Sequence, residues 1–247
     1  MYYIVFDLEF NQDFSSPICL GENVSKYPFE IIQIGAIKLD SNLHTVDSFN
    51  QYVKPTIYSH INSHITELTG ITTEQLVSEE TFPSVFNEYM NFISEKDSYF
   101  CIWGASDVKE LYRNASYHNL DMNRIPEMFI NIQPYVSMYL KVPETRLLKL
   151  QTATQLLNIP QTHEYHNALY DAYYTAEIFK KINSPYIQPK KYDPNYVRIR
   201  PSQPRKKVDY DMLLQQFRKM YDRELSKDEQ DMITLAYKMG KTNQFLK

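Results

Sequence analysis

The stretch YYIVFDLEF, residues 2–10, joins a run of aromatic and β-branched residues to two carboxylates. Such apolar residues favour a β-strand, so we predict a first strand that carries Asp7 at its tip. Side chains two residues apart in a strand point to the same side, so Asp7 and Glu9 share a face. Two carboxylates in one site repel each other unless a cation joins them, and clustered oxygen ligands suit Mg2+ or Mn2+ better than zinc. Taken alone, an Asp-x-Glu at a strand end is more often a solvated edge.

The rest of the chain reads as two more strands and then as helices that alternate with strands. EIIQIGAIKL, residues 30–39, is a long apolar run with one glycine, and residues 48–54 form a hairpin with it. Residues 11–29 are rich in turn formers and are predicted as a loop, and the segment 61–70 is short and turn-rich. The later elements are helices at 82–94, 148–157, 168–182 and one capped by Ser106, with strands at 99–103 and 130–132. This order predicts an α/β fold with a mixed central sheet flanked by helices.

Composition indicates a folded protein in a reducing compartment. The 247 residues are 43% hydrophobic and 23% charged, close to the globular average. The two cysteines, Cys19 and Cys101, are too few for a disulfide framework. There is neither a basic leader before an apolar run nor a stretch of about 18 apolar residues. We therefore expect a cytoplasmic protein that makes no use of a membrane.

The charge of the chain is divided unevenly at residue 183. Residues 1–183 contain 12 Lys and Arg against 22 Asp and Glu, whereas residues 184–247 contain 14 against 8. Five prolines and seven basic residues predict an extended basic linker at 184–208. Helical periodicity from 210 to 221 and from 228 to 239 then predicts a helical hairpin extension at 209–247, with a Ser226-x-x-Glu229 capping box and a stop at Gly240.

Two further motifs place acids at helix starts. WGASD, residues 103–107, puts Asp107 in a first helical turn, where the positive end of the helix dipole alone could explain it. HNALYD, residues 166–171, puts His166 at a helix entrance and Asp171 one turn later. A lone histidine there is more often a cap or a surface group. The case for a site rests on the whole set.

Taken in order, FDLEF, WGASD and HNALYD resemble the motifs of the DEDDh 3′-to-5′ exonucleases, which have a ribonuclease H-like fold. The family's sequence between those motifs is also similar to three segments of this chain, PFEIIQIGAIKLD, HITELTGITTEQL and TFPSVF. The resemblance covers residues 1–183 and is greatest to the branch of the histone-mRNA 3′-end exonucleases and the sporulation inhibitor KapD. Phe10 and Asn11 stand where many relatives have a Thr-rich stretch.

The resemblance implies a metal-dependent exonuclease with two Mg2+ or Mn2+ ions. Such ions lower the pKa of a water and support the leaving 3′-oxygen. By the resemblance, Asp7 bridges both ions, Glu9 and Asp171 complete the water-activating site, and Asp107 holds the second ion largely through water. His166 is then the general base, which must be neutral to accept a proton.

The substrate implied is a single-stranded nucleic acid 3′ end. The backbone of Phe10 is expected to contact the terminal hydroxyl, and the side chains of Phe10, Leu68 and Trp103 are candidates for stacking on bases. Each of these three is equally compatible with an ordinary core position. The basic linker could track phosphates, although a merely solvated linker is the preferred interpretation.

Three functions compete. RNA is the preferred substrate because the nearest branch favours it, and a DNA repair or proofreading exonuclease is the nearest alternative. A regulator that binds RNA or a protein without cutting is a third, since fold and motif do not prove activity. A protein partner could bind the C-terminal extension.

Overall fold

The computed structural model describes residues 1–12, 29–94, 97–143, 147–194 and 209–241. The chain divides into two compact units, Met1–Tyr196 and Val197–Lys247. Most of the predicted loop at 11–29, Cys19 and the later part of the predicted linker lie outside the described residues.

A six-stranded mixed sheet forms the centre of the first unit. Its strands are β1 (Tyr2–Asn11), β2 (Glu30–Leu39), β3 (Thr45–Tyr52), β4 (Ser98–Ile102), β5 (Met128–Asn131) and β6 (Lys190–Lys191), in the spatial order β3-β2-β1-β4-β5-β6. β4 runs parallel to both β1 and β5, and the remaining pairs are antiparallel. The predicted α/β class with a mixed sheet is confirmed.

Seven helices accompany this sheet within the described residues of the first unit. They are α1 (Ser63–Thr69), α2 (Thr73–Leu76), α3 (Phe82–Ile93), α4 (Ser106–Tyr117), α5 (Ile132–Tyr139), α6 (Leu150–Leu156) and α7 (Ala168–Ile182), with a 3-10 turn at Met122–Arg124.

The alternation of side chains along β1 divides the core into two layers. Ile4, Phe6 and Leu8 pack with residues of α3 and α4 on one face of the sheet. Val5 packs on the other face with residues of α5, α6 and α7. Asp7 and Glu9 follow Val5 at intervals of two, so they lie on the α7 face.

Three local predictions were wrong. β1 continues past Asp7 to Asn11, because pairing with β2 extends through both acids. Ser106 is the first helical residue and not the cap, since Ala105 takes that place without a side-chain bond. The last helix does not stop at Gly240 but includes Lys241. The turn-rich segment 61–70 contains the short helix α1, whose N-cap is Asn62.

Strand β6 lies inside the segment that was predicted as a linker. Lys190 and Lys191 pair with Phe129 and Met128 of β5, and the ring of Tyr192 lies 4.7 Å from that of Tyr112. The central sheet of the first unit therefore includes a strand from beyond residue 183, where the charge distribution changes.

The part of the second unit that the structure describes, 209–241, contains two helices, α8 (Tyr210–Tyr221) and α9 (Lys227–Lys241). The Ser226–Glu229 capping box is present: the Ser226 amide donates to the Glu229 carboxylate at 2.8 Å, and the Glu229 amide donates to Ser226 Oγ at 3.3 Å. Across the described ranges, no helix combines the length and the apolar character that crossing a membrane requires.

Candidate active site

Strand β1 places two acids side by side at the α7 face of the sheet. In the antiparallel pairing with β2, Asp7 lies opposite Gly35 and Glu9 lies opposite Gln33, and a bulge follows Glu9. A bulge bends its strand and redirects the residues beyond it. Glu9 is 8% exposed, whereas Asp7 is more accessible.

Helix α7 brings the third acid to the same place. Asn167 caps this helix, its side chain accepting hydrogen bonds from the amides of Leu169 and Tyr170. Asp171 lies in the first turn, buried, and its Oδ2 accepts a hydrogen bond of 3.1 Å from the backbone amide of His166. The backbone of His166 has φ of 64° and its side chain is exposed. This sparsely populated conformation turns the chain into α7 and leaves the imidazole accessible to a ligand.

Asp107 reaches the site from the opposite layer. β1 and β4 are parallel, so the helix that follows β4 begins near the carboxyl end of β1, and Asp107 lies in the first turn of that helix. Its side chain is 4% exposed. Its charge raises the pKa values of both Asp7 and Glu9, which places it within electrostatic reach of the strand acids.

The structure therefore brings together three of the four acids predicted from the sequence, and Asp107 acts on them electrostatically. Asp7, Glu9 and Asp171 each offer an oxygen atom within 4.8 Å of the others. Burial, followed by the neighbouring acids, raises the pKa of Glu9 to about 8 and that of Asp7 well above its usual range. Burial also raises the pKa of Asp107 to about 7 and that of Asp171 to about 6.

This donor set fits a hard divalent cation. The second carboxylate oxygen of Asp171, Oδ1, is buried without a hydrogen-bond partner. A buried polar atom without a partner is costly, and a charged one more so. Oxygen ligands that converge in this way are what Mg2+ and Mn2+ require, and such an ion would relieve both the repulsion and the unmet oxygen.

Gly35 explains how α7 approaches the strand acids so closely. A Cβ atom at this position would lie 2.1 Å from the carbonyl carbon of Ala168 and from the amide nitrogen of Leu169. The backbone of the first turn thus rests directly on β2, opposite Asp7. The sequence analysis noted this residue only as one glycine in an apolar run, although a glycine inside a strand is a known signal of close backbone approach.

Aromatic side chains fix the segment that leads to His166, and the sequence analysis assigned no role to the tyrosines. Tyr174 is fully buried, and its hydroxyl group accepts a hydrogen bond from the His163 amide at 2.7 Å and donates one to the His163 carbonyl at 2.8 Å. The His163 ring stacks on Tyr170 with 4.3 Å between the ring centres. Tyrosines spaced one turn apart on a helix gave no sequence signal that a loop would fold back onto them.

The three predicted substrate contacts occupy different environments. Phe10 is half-buried against the core, with its ring centre 6.0 Å from that of Phe29. Leu68 is 44% exposed on α1. Trp103 packs on the α7-side core, and its indole N–H is buried without a partner. Their roles in binding stay predictions.

The position of α1 next to the site is set by Asn11 at the end of β1. Its Nδ2 donates to the carbonyl of His60 at 2.9 Å, and its Oδ1 accepts from the amide of Asn62 at 3.0 Å. Asn11 is fully buried. The exposed apolar side chain of Leu68 is therefore carried on a helix whose start is tied to the active-site strand.

Comparison with known proteins gives a family match over most of the first unit. Residues 4–179 match the family model RNase_T, described as exonuclease. The 3′-5′ exoribonuclease 1 of Rattus norvegicus is 27% identical over 168 residues, which cover 65% of this chain and 48% of that protein. A PolC-type DNA polymerase III of Clostridium perfringens is 31% identical over 179 residues, which cover 72% of this chain and 11% of that protein. The chain thus spans about half the length of the first relative and about a tenth of the second.

Solved structures show the same fold. The nuclease domain of 3′hExo, described as a DEDDh family member bound to rAMP, aligns with a TM-score of 0.65 at 22% identity and covers 77% of this chain and 96% of that one. A 3′-exonuclease that recognises the histone mRNA stem-loop aligns with a TM-score of 0.62 at 21% identity, covering 79% and 72%. The expected ribonuclease H-like fold is confirmed.

Proposed function

The chain belongs to the exonuclease family that the RNase_T model describes, and from that premise we propose a metal-dependent 3′-to-5′ exonuclease. It hydrolyses phosphodiester bonds at single-stranded 3′ ends, prefers RNA and releases nucleoside 5′-monophosphates. The observation that carries the proposal is the convergence of oxygen atoms from Asp7, Glu9 and Asp171 within 4.8 Å.

Four acids would hold two Mg2+ or Mn2+ ions. By the family resemblance, Asp7 would serve both ions, Glu9 and Asp171 would complete one site, and Asp107 would serve the other. Bound divalent ions of this kind activate a water and neutralise the charge that develops on the phosphate. The carboxylates supply fixed oxygen positions, because strand pairing holds two of them and a capped helix holds a third.

His166 is the proposed general base. Its amide is tied to Asp171, so its position follows that of a metal-binding acid, while its exposed imidazole is free to meet the attacking water. The neutral ring accepts the proton and passes it to solvent after cleavage. Phe10, Leu68 and Trp103 are the proposed contacts to the terminal nucleotides.

An acidic body needs a cation to bind a polyanion. Residues 1–183 contain 12 basic against 22 acidic residues, so this part of the chain alone repels phosphate. Bound divalent ions reverse the local sign at the carboxylates, which makes nucleic-acid binding depend on the same ions as cleavage.

RNA is proposed over DNA because the first relative is named an exoribonuclease and shares about half its length with this chain, whereas the polymerase shares about a tenth. A DNA exonuclease is the second candidate, supported by the 31% identity to that polymerase. A regulator that does not cut would have no catalytic reason to retain the acids and His166.

The proposed division of the chain follows the sequence, with an exonuclease domain at 1–183, a basic linker at 184–208 and a helical extension at 209–247, except that β6 at Lys190–Lys191 belongs to the sheet of the domain. We assign the extension to a protein contact, and the cytoplasm as the place of action. Pull-down with the full chain and with a variant truncated after Tyr196, which retains β6, would identify a partner that needs the extension.

The first test is cleavage of 5′-labelled single-stranded RNA and of the matching DNA, with Mg2+, with Mn2+ and with EDTA. We expect a ladder that shortens from the 3′ end, is lost in EDTA and is lost in Asp7→Asn and His166→Ala. Asp47→Asn, which changes an exposed acid on edge strand β3, is the matched control and should retain full activity. Intact oligomers under every metal condition, from folded protein, would reject the exonuclease and favour the regulator.

A further inference from the structure

Gln33 connects the edge of the sheet to the start of helix α7. Its side chain is fully buried on β2, beside Glu9 on β1. Its Oε1 accepts a hydrogen bond of 3.2 Å from the amide of Ala168, and its Nε2 donates one of 2.9 Å to Oδ1 of Asn50 on β3. Both ends of one buried amide are therefore engaged, on two different elements.

The direction of these bonds follows from the chemistry of the groups. The amide of Ala168 can only donate, so Gln33 must present its oxygen to it and its nitrogen to Asn50. Asn50 must in turn present its oxygen, and a carboxylate at that position would serve equally well. The chain of bonds thus has a single orientation from strand β3 to the helix.

The hydrogen bond between Gln33 and Ala168 lies at the place that sets the distance of Asp171 from the two strand acids. Ala168 is the first residue of α7, whose amide has no partner within the helix, and Asp171 lies in the same turn. Gln33 and Gly35 share a face of β2 and lie opposite Glu9 and Asp7. The helix start is therefore attached to the sheet by the residues that pair with the strand acids.

We propose that Gln33 is a positioning residue for the metal site, oriented by Asn50, and that it fixes the distance from Asp171 to Asp7 and Glu9. The role at a metal site rests on the proposed function, whereas the attachment of α7 to the sheet rests on the two hydrogen bonds of Gln33. The remainder of α7 is anchored separately, since Ala172, Ala176 and Phe179 are buried in the core. Loss of the bond therefore shifts the first turn and leaves the helix in place.

The test measures Mn2+ affinity by calorimetry and amide hydrogen exchange across residues 166–171. Gln33→Met preserves side-chain length without the amide, and we expect about tenfold weaker Mn2+ binding, as for other groups that orient metal ligands. Exchange should become faster at 166–171 and stay unchanged in α3. Asn50→Ala should give a smaller change in the same direction, and Asn50→Asp should restore the wild-type values. Gln51→Ala, at the next exposed position of β3, is the control.

Wild-type Mn2+ affinity and wild-type exchange at 166–171 in Gln33→Met would overturn the proposal. If Gln33→Met does not fold, the two variants at the exposed position Asn50 provide the test. Equal Mn2+ affinity and equal hydrogen exchange in Asn50→Ala and Asn50→Asp would also overturn the proposal. These readouts need no cleavage. A wild-type protein that cuts no oligomer would count against the exonuclease, while the exchange difference would still report on Gln33.

Discussion

Replacing Glu9 with glutamine should stabilise the metal-free protein, and the gain should grow with pH. Burial and the neighbouring acids raise the pKa of Glu9 from 4.5 to about 8. A group whose pKa is higher in the folded state binds more protons there, so wild-type stability is lost as pH rises between those two values. Glutamine does not ionise and escapes that loss.

The size of this stability gain follows from the interval between the pKa values of Glu9 in the unfolded and folded states. A shift from 4.5 to about 8 is about 3.5 pKa units, and at about 1.4 kcal/mol per unit this amounts to about 5 kcal/mol at pH 9. That is a ceiling, because the glutamine amide must itself be hydrogen-bonded and a monovalent cation would relieve part of the repulsion. We expect a gain of about 2–5 kcal/mol at pH 9 and close to none at pH 4.

The assay is urea unfolding in EDTA at pH 4, 6 and 9, followed by the fluorescence of Trp103, the one tryptophan of the chain, which is partly buried against the core of the first unit. Glu67→Gln, at a side chain 79% exposed on α1, is the control and should change little at any pH. Excess Mg2+ should reduce the difference at pH 9, since a ligand at 100 times its Kd stabilises the protein that binds it by about 2.7 kcal/mol. A variant that is less stable than wild type at pH 9 in EDTA, or a difference that does not change with pH, would refute the reasoning.

Three further substitutions separate support of the site from support of the fold. Gly35→Ala places a methyl group against the backbone of α7 and should cost about 3 kcal/mol or more in urea unfolding and abolish cleavage. Gly240→Ala, where a Cβ meets open space in helix α9, is its control and should cost nothing. Tyr174→Phe removes both hydrogen bonds to the backbone of His163, so kcat on single-stranded RNA should fall about fivefold with KM unchanged. An unchanged kcat would show that these two hydrogen bonds do not contribute to catalysis. Lys38→Met removes a buried ammonium group that donates hydrogen bonds to carbonyls of the last turn of α3. The free energy of unfolding should fall by about 1–3 kcal/mol, while the Mn2+ affinity measured by calorimetry stays the same. An altered Mn2+ affinity would contradict a purely structural role for Lys38.

The sequence predicted those parts of the site that depend on local periodicity. The common face of Asp7 and Glu9 needs only the two-residue repeat of a strand, and Asp171 needs only the first turn of a capped helix. The strand that was expected to end at Asp7 runs on to Asn11, because partners on β2 decide where pairing stops. The residue at which a strand ends is set by its neighbour in the sheet, so the sequence of one strand does not encode it.

Contacts between distant segments were beyond the reach of the pattern. Gln33 and Ala168 are 135 residues apart, and the sequence shows Gln33 only as a polar residue in an apolar run. The same holds for Glu30, a buried acid whose carboxylate accepts bonds from the amides of Ile57 at 2.6 Å and Tyr58 at 2.9 Å. Alternation along a strand indicates which face a side chain takes, but it does not indicate which residues pack above that face.

Glu9 and Asp171 differ in how the fold offsets the repulsion among the acids. Asp171 lies in the first turn of α7, where it accepts a hydrogen bond from the His166 amide and meets the positive end of the helix dipole. Its pKa rises from 3.8 to about 6, whereas the pKa of Glu9 rises from 4.5 to about 8. Glu9 therefore depends more on an external cation than Asp171 does. Divalent metal should therefore stabilise the wild-type protein more at pH 8 than at pH 6, and Asp171→Asn should remove less of that pH dependence than Glu9→Gln.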